Sequence, residues 1–435
     1  MMAGGGLKPL STTYRGELMK RSIKLAVAAA VALSATSAFA TNGDHLIGLG
    51  AKARGMGGIG IGMSHGAESA LANPAMITSV SGTEVSFGGT IFMPDVEFNG
   101  AQSDADLSVI PEVAIAQKAS DNFYWGIGMF GTAGMGTDYR KDTSATSGTM
   151  NMVTNLQLMQ FAVPLAYKAE GFSFGIAPVL QYGSLDINYE FMGNTVGAGV
   201  AQDLGFGYNI GAAYEMNGLT VGASYKSAIE MEYDGQLSGA TAPFVAMGVF
   251  PGAMSDKLEQ PAEIGVGASY TMDGHTFAVD YKRIEWSDAK GYKDFNWDDQ
   301  DVIILGYQYA QDNWAIRLGY NHASNPIKDA GAMTFAQAGA AWAASGSVDP
   351  NDMYQYFGGN AMNMFNLLGF PATVEDHYTI GASYAFSKMT SLDLAYTYAD
   401  EKKVSMMTMP DGMTDVTSTV KHSQQGVSAQ LNFNF

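Results

Sequence analysis

The sequence predicts an all-β protein, a transmembrane antiparallel β-barrel of about fourteen strands whose lumen is plugged by an N-terminal hatch of short helices. Three observations carry this reading. Apolar residues recur at every second position through most of the chain, the connections between these runs alternate between tight and long, and an export signal precedes a chain with only 15% charged residues, below the roughly 25% of soluble domains.

Residues 19–40 read as the export signal. Lys20, Arg21 and Lys24 supply the positive region, Leu25 to Leu33 the apolar stretch and Ala38-Phe39-Ala40 the small-x-small cleavage site. The domains expected are therefore 1–40 as signal with an upstream extension, 41–82 as hatch and 83–435 as barrel. Translation can start at Met1 or Met19, and the sequence leaves both open. The apolar stretch is too short for a membrane helix, and no later segment is long enough.

Residues 1–40 hold five cations and one acid, so their removal takes the net charge from −19 to about −23. Such an acidic chain is a poor partner for nucleic acid, which demands a basic surface. The absence of cysteine excludes disulfides and thiol catalysis. The 22 Tyr and 22 Phe are enough for the aromatic girdles of a barrel wall.

The strands follow in order. Less regular ones are expected near 83–93, 107–118, 122–131, 153–169 and 172–190. Regular alternation marks Phe206 to Tyr214, Leu219 to Tyr225, Ile264 to Tyr270, Phe277 to Tyr281, Ile303 to Tyr309, Trp314 to Tyr320, Tyr378 to Phe386, Leu392 to Tyr398 and Val427 to Phe435. Tight turns sit at Ala169-Glu-Gly171, Met216-Asn-Gly218, Asp273-Gly274, Gln311-Asp312 and Ser387-Lys388. Long connections are expected near 132–152, 191–201, 236–255, 287–295, 322–374 and 400–424, giving short turns at one end of a barrel and long loops at the other. The last strand should pair with the first, near Glu84 to Phe92, and turn its odd-numbered face to lipid.

Mature residues before the first strand do not alternate. Gly48, Gly50, Gly55, Gly57, Gly58, Gly60 and Gly62 lead into a short helix over His65 to Ala75, ended by Asn73-Pro74. A phosphate-loop reading of these glycines fails, because no strand precedes them and no βαβ unit follows. A segment of this size belongs inside the lumen, which about fourteen strands leave wide enough to need filling.

The stretch Thr41-Asn-Gly-Asp-His-Leu-Ile-Gly-Leu-Gly-Ala-Lys-Ala-Arg-Gly-Met-Gly-Gly58, with Ala70-Leu-Ala-Asn-Pro-Ala75 after it, resembles the hatch of the FadL/TodX-type outer-membrane channels for long-chain fatty acids and other hydrophobic compounds. Asp280-Tyr-Lys-Arg-Ile-Glu-Trp-Ser287, Phe295-Asn-Trp-Asp298, Leu305-Gly-Tyr-Gln-Tyr309 and Asp312-Asn-Trp-Ala-Ile-Arg-Leu-Gly-Tyr320 resemble that family's middle and late strands. The likeness spans nearly the whole mature chain. It implies a Gram-negative outer-membrane protein that captures hydrophobic compounds, long-chain fatty acids foremost, on its loops, binds them inside, rearranges the hatch and releases them sideways through the wall. The hatch residues implied are Asn73, Pro74 and Ala75 with Gly55, Gly57 and Gly58. The wall gap implied lies at a kinked third strand, where Gly126, Gly128 and Gly131 permit a bend; alternatively these glycines only make room for the hatch.

Two expected loops are oily where a general pore's would be polar. Phe244, Val245, Met247 and Phe250 lie in one, and Met364, Phe365 and Leu368 in the other. Such residues capture apolar ligands or bury one another as a cap. Lumen-side Lys226, Lys282 and Arg317 could meet a carboxylate, or pair with lumen acids such as Asp280 and Asp393. No catalytic residue, metal site or cofactor motif is found, and the Asp298, Asp299 and Asp301 cluster reads as a solvated strand end, with divalent-cation binding at the lipopolysaccharide surface as the alternative. Other partners expected are outer-membrane lipid and lipopolysaccharide, and the barrel-assembly machinery through the terminal Phe435; the chain is expected to act as a monomer. A general or ion-selective porin and a surface adhesin or receptor remain as alternatives.

Overall fold

The computed structural model describes residues 41–435 except Ala145 and Gly412. The expected export segment, its cleavage site and the two translation starts lie outside the described residues, apart from Thr41.

Fourteen antiparallel strands form the wall. They are β1 (Thr83–Phe98), β2 (Ser108–Lys118), β3 (Phe123–Asp138), β4 (Val153–Ala162, continued past Pro164 by Leu165–Ala169), β5 (Phe172–Phe191), β6 (Ala201–Met216), β7 (Leu219–Lys226), β8 (Glu263–Met272), β9 (His275–Ile284), β10 (Gln300–Gln311), β11 (Trp314–Ala323), β12 (Asp376–Ser387), β13 (Thr390–Asp411) and β14 (Thr414–Asn434). Each pairs with the next, and β14 returns to β1 from Val420↔Phe98 to Asn434↔Glu84, which closes the barrel. As the sequence led us to expect, Val427 lies opposite Ile91 and Phe433 opposite Val85.

Period-two alternation sets the two faces. On β9, Phe277, Val279 and Tyr281 are exposed while Ala278, Asp280 and Lys282 are buried. The outer residues have lipid as their solvent, so the exposed apolar face is the stable one. Aromatics gather at two levels: Phe172–Tyr214 and Tyr309–Trp314 near the tight turns, Tyr208–Tyr225 and Tyr320–Tyr378 near the opposite ends.

The hatch fills the lumen with helix α1 (Ala51–Arg54) and two 3-10 helices, Gly66–Ala70 and Pro74–Ser79. Wall glycines are its seats. A Cβ on Gly319 would lie 2.0 Å from the Gly57 nitrogen, and one on Gly222 2.0 Å from the Ile61 oxygen. Gly58 itself holds φ +101°, with the Ile47 carbonyl where a side chain would go.

Three expectations change. Asn73 does not end a helix: after Gly66–Ala70 it caps the next one, accepting the Ala75 N–H at 3.1 Å. β3 runs on to Asp138 where a loop was expected from 132, and its extension is buried on both faces. The segment 400–424 is not a loop but the outer half of the β13–β14 hairpin, paired from Lys402↔His422 to Thr408↔Val416. Beyond the bilayer a strand needs no apolar face, so that pairing leaves no alternation in the sequence.

The long loops build a cap over the lumen. The β7–β8 connection contributes a small sheet (Ile229–Glu232 with Lys257–Gln260) and helix α2 (Leu237–Ala246), and the β11–β12 connection contributes α3 (Phe335–Ser345) and α4 (Gly358–Gly369).

Candidate functional site

The body of the hatch is bolted to the wall. Arg54 donates to both oxygens of Glu112 on β2, at 2.5 and 2.8 Å, and to Thr90 Oγ1 at 2.8 Å. Lys52 Nζ lies 3.1 Å from Glu68 and 3.7 Å from Asp393 of β13. Burial pushes the Glu68 carboxyl up to about 7, with Lys52 pulling the other way. Asp280 of β9 accepts three successive backbone N–H groups, Gly60 and Ile61 at 2.8 Å and Gly62 at 2.9 Å, a carboxylate in a backbone nest. Asn73 Nδ2 donates to Ile61 O at 3.0 Å and reaches the carbonyls of Ala212 and Ala223 on β6 and β7.

The first nine hatch residues are held differently, by side chains around the lumen's centre. Tyr292 donates its hydroxyl to Asp44, and Gln260 Nε2 lies 3.1 Å from the same oxygen. Burial pushes the Asp44 carboxyl above its ordinary value against the opposing pull of His45 and of these hydrogen bonds. His45 Nε2 is 2.6 Å from Gln260 Oε1, and its Nδ1 is 2.9 Å from Glu263. Glu263 also meets both Lys226 and Lys282 at 3.3 Å, so two ammonium groups share one carboxylate. Two small cavities, about 50 and about 40 Å³, lie against these lysines, and the second also touches Thr132 of β3 and Gln160 of β4.

β3 leaves the wall at this level. Its ladder with β2 runs from Lys118↔Tyr124 to Glu112↔Phe130. Its ladder with β4 continues from Phe123↔Tyr167 to Asp138↔Val153, with a register break between Gly131 and Ala133 that makes Thr132 a bulge. On its other side the hatch takes over: Ala133 pairs with His45, and Gly134 N–H donates to Asp44 O at 3.0 Å. Further out, Asp138 accepts the Asp104 N–H at 2.8 Å, rejoining the β1–β2 loop. The β2–β3 ladder thus ends at Glu112↔Phe130, and the unpaired place between their outer halves is termed the window. Hatch residues Leu46 and Leu49 pack on Ile110 and Phe92 at its inner side.

Above the hatch lies an apolar pocket lined by Met135, Leu156, Leu237, Leu258, Phe295 and Phe370, with Tyr292, Trp297 and Asn366 as its polar fittings. About 10 Å³ is open, the room of roughly one water. The oily loop residues close it from outside. Phe244, Met364, Phe365 and Leu368 are buried, with Phe244 and Phe365 5.4 Å apart edge to face, while Val245, Met247 and Phe250 are half-buried around them. Three asparagines one turn apart stitch α4 into the cap. Asn360 Nδ2 donates to Thr408 O, Asn363 Nδ2 to Met407 O and Asn366 Nδ2 to Phe295 O, while Trp297 Nε1 donates to Asn366 at 2.9 Å.

A closed fourteen-stranded antiparallel barrel agrees with what the chain matches. Residues 25–346 fit the model of the outer membrane protein transport protein family, OMPP1/FadL/TodX. The chain belongs to this family. Among FadL/TodX-type structures, a Pseudomonas aeruginosa FadL homologue superposes with TM-score 0.68 at 16% identity, covering 90% of this chain and 100% of that one. The Pseudomonas putida toluene transporter TodX gives TM-score 0.63 at 18% identity, covering 91% and 100%. The 47 kDa outer membrane protein of Pasteurella multocida (strain Pm70) is 23% identical over 392 residues, covering 79% of this chain and 85% of its own length. The chain is an outer-membrane protein, and its family and structural neighbours are transport channels.

Against this FadL/TodX frame the expected residues separate. Asn73, Pro74 and Ala75 sit at the hatch–wall contact, and Gly55 and Gly57 pack on Gly381 and Tyr320 of the wall. A Cβ on Gly128 would meet hatch Ala70 at 3.1 Å, whereas one on Gly131 would meet Ile110 across the window. Gly126 lies beside Ile115 and Pro164, away from both. Arg317 donates to Gln308 and Ser383 and lies 3.8 Å from Asp393, but Lys226 and Lys282 pair with Glu263 rather than with Asp280 or Asp393. Asp44, His45, Arg54, Glu112, Glu263 and Tyr292 were missed. Charged residues inside a low-charge barrel were the available signal, since each must serve the lumen to be tolerated.

Proposed function

We propose that this protein takes up hydrophobic small molecules through the outer membrane by capture at the cap, binding in the apolar pocket, displacement of Thr41 to Leu49 and sideways release through the window between β2 and β3. One observation carries this reading: Met135 lines the pocket and belongs to the stretch of β3 that has left β2. A ligand seated there already touches the edge of the exit. The bolts on Arg54, Lys52, Gly60 to Gly62 and Asn73 leave the first nine residues as the movable part of the hatch.

Long-chain fatty acids are the substrates we favour, because the two lysines on one glutamate leave a cation over for a head group beside the lower cavities. TodX of Pseudomonas putida is a toluene transporter, and a neutral ring would need only the upper pocket. Lipopolysaccharide is its lateral neighbour and Phe435 its contact for barrel assembly, with the single chain as the working unit. A general porin would instead show steady conductance to salts or sugars. An adhesin or receptor would leave uptake intact in a null strain and lose attachment. The test is uptake of labelled palmitate and of toluene by a strain lacking the protein and by the same strain complemented. Restored uptake of either supports the reading, and equal uptake of both without the protein refutes it.

A further inference from the structure

Two threonines join the cap to the window. α4 ends in carbonyls that lack partners within the helix. The Thr137 hydroxyl donates to Leu368 O at 2.9 Å and the Thr154 hydroxyl to Gly369 O at 2.5 Å. Thr154 Oγ1 also accepts the Thr137 N–H at 3.1 Å, so the pair acts as one clamp, and both residues are buried. Thr137 stands on the stretch of β3 beyond its departure from β2, two residues past Met135.

The pocket beneath α4 has room for about one water, whereas a cavity of about 150 Å³ holds benzene. Any ligand of interest must therefore part Phe370 and Asn366 of the cap from Met135 and Leu156 of the wall. Asn360 and Asn363 fix the other end of α4 to the β13 backbone, so the end that carries Leu368 and Gly369 is the end that has to move.

We propose that Thr137, with Thr154, is a positioning residue that transmits the movement of α4 to the stretch of β3 spanning 131–138, so that filling the pocket reshapes the window. This rests on reading the pocket as the substrate site. A ligand shifts such an equilibrium only through its differential affinity for the two arrangements, and the coupling works in both directions.

The test is hydrogen exchange on the full chain in lipid nanodiscs, with and without toluene, read in peptides covering 131–138 and 358–370. Toluene should alter exchange in both segments of the wild type. In Thr137→Val/Thr154→Val the response at 358–370 should persist and that at 131–138 be diminished to the part that direct contact of toluene with Met135 supplies, and Thr137→Ser alone, which keeps a hydroxyl, should retain both in full. Heat-modifiable migration on gels identifies folded barrels, and Thr137→Val alone serves if the double variant does not fold. An undiminished response at 131–138 in the valine variants overturns the coupling and leaves the pocket reading standing. Silence of both segments in the wild type overturns both.

Discussion

Arg54 of the hatch and Glu112 of β2 form a two-pronged buried ion pair at the last rung where β2 and β3 still pair. The plug is thereby fixed to the lower edge of the window, which frees only the chain before it to move. Removing one partner strands a buried charge, at a cost of about 3–5 kcal/mol. Arg54→Ala should lower the unfolding temperature on heat-modifiable gels more than Arg54→Met/Glu112→Leu, which removes both charges.

The hatch seats depend on the absence of side chains in the wall. Gly319→Val places its Cβ against the Gly57 nitrogen, 2.0 Å away as the chain stands, where only backbone can yield. The barrel should still fold, since the substitution leaves the ladder intact, but the plug should sit loosely. Planar bilayers should then show frequent salt conductance where the wild type shows little.

We propose that Lys226 and Lys282 recognise the head group. A charge-assisted hydrogen bond contributes about 1.5–3 kcal/mol, and about 1.4 kcal/mol is tenfold in affinity. Lys226→Met/Lys282→Met should reduce palmitate uptake tenfold or more while leaving toluene uptake unchanged. Equal loss of both would place the lysines in hatch anchoring instead.

Ile316 on β11 is 46% exposed, on the lipid side between buried Ala315 and Arg317. Ile316→Lys near the midplane should cost about 2–4 kcal/mol, measurable by urea unfolding in lipid. The same charge one position along, at Arg317, is already accommodated by its lumen partners.

The wall was legible because a lipid-facing strand must show its apolar face at every second residue; Phe277, Val279 and Tyr281 announce β9 unaided. The plug was legible through Gly55 to Gly62, which fit no strand. The β3 extension was hidden because Ala133 to Thr137 is buried on both faces and cannot alternate. The charged core was hidden for another reason. Glu263 sits at the start of β8, and its neighbours Lys226, Lys282 and His45 come from β7, β9 and the hatch, brought together by strand pairing and by the plug rather than by any local run of sequence.

Release through the window is the central claim, and the chain offers a clean way to test it. It contains no cysteine, and a Cβ at position 131 would lie 3.9 Å from the Cβ of Ile110, within the roughly 3.5–4.5 Å of a disulfide. Ile110→Cys/Gly131→Cys therefore ties β2 to β3 where they part. The measurement is palmitate uptake by cells carrying this variant, oxidised and then reduced. Loss of uptake on oxidation and recovery on reduction is the predicted result; uptake at the wild-type rate with the disulfide formed would contradict sideways release.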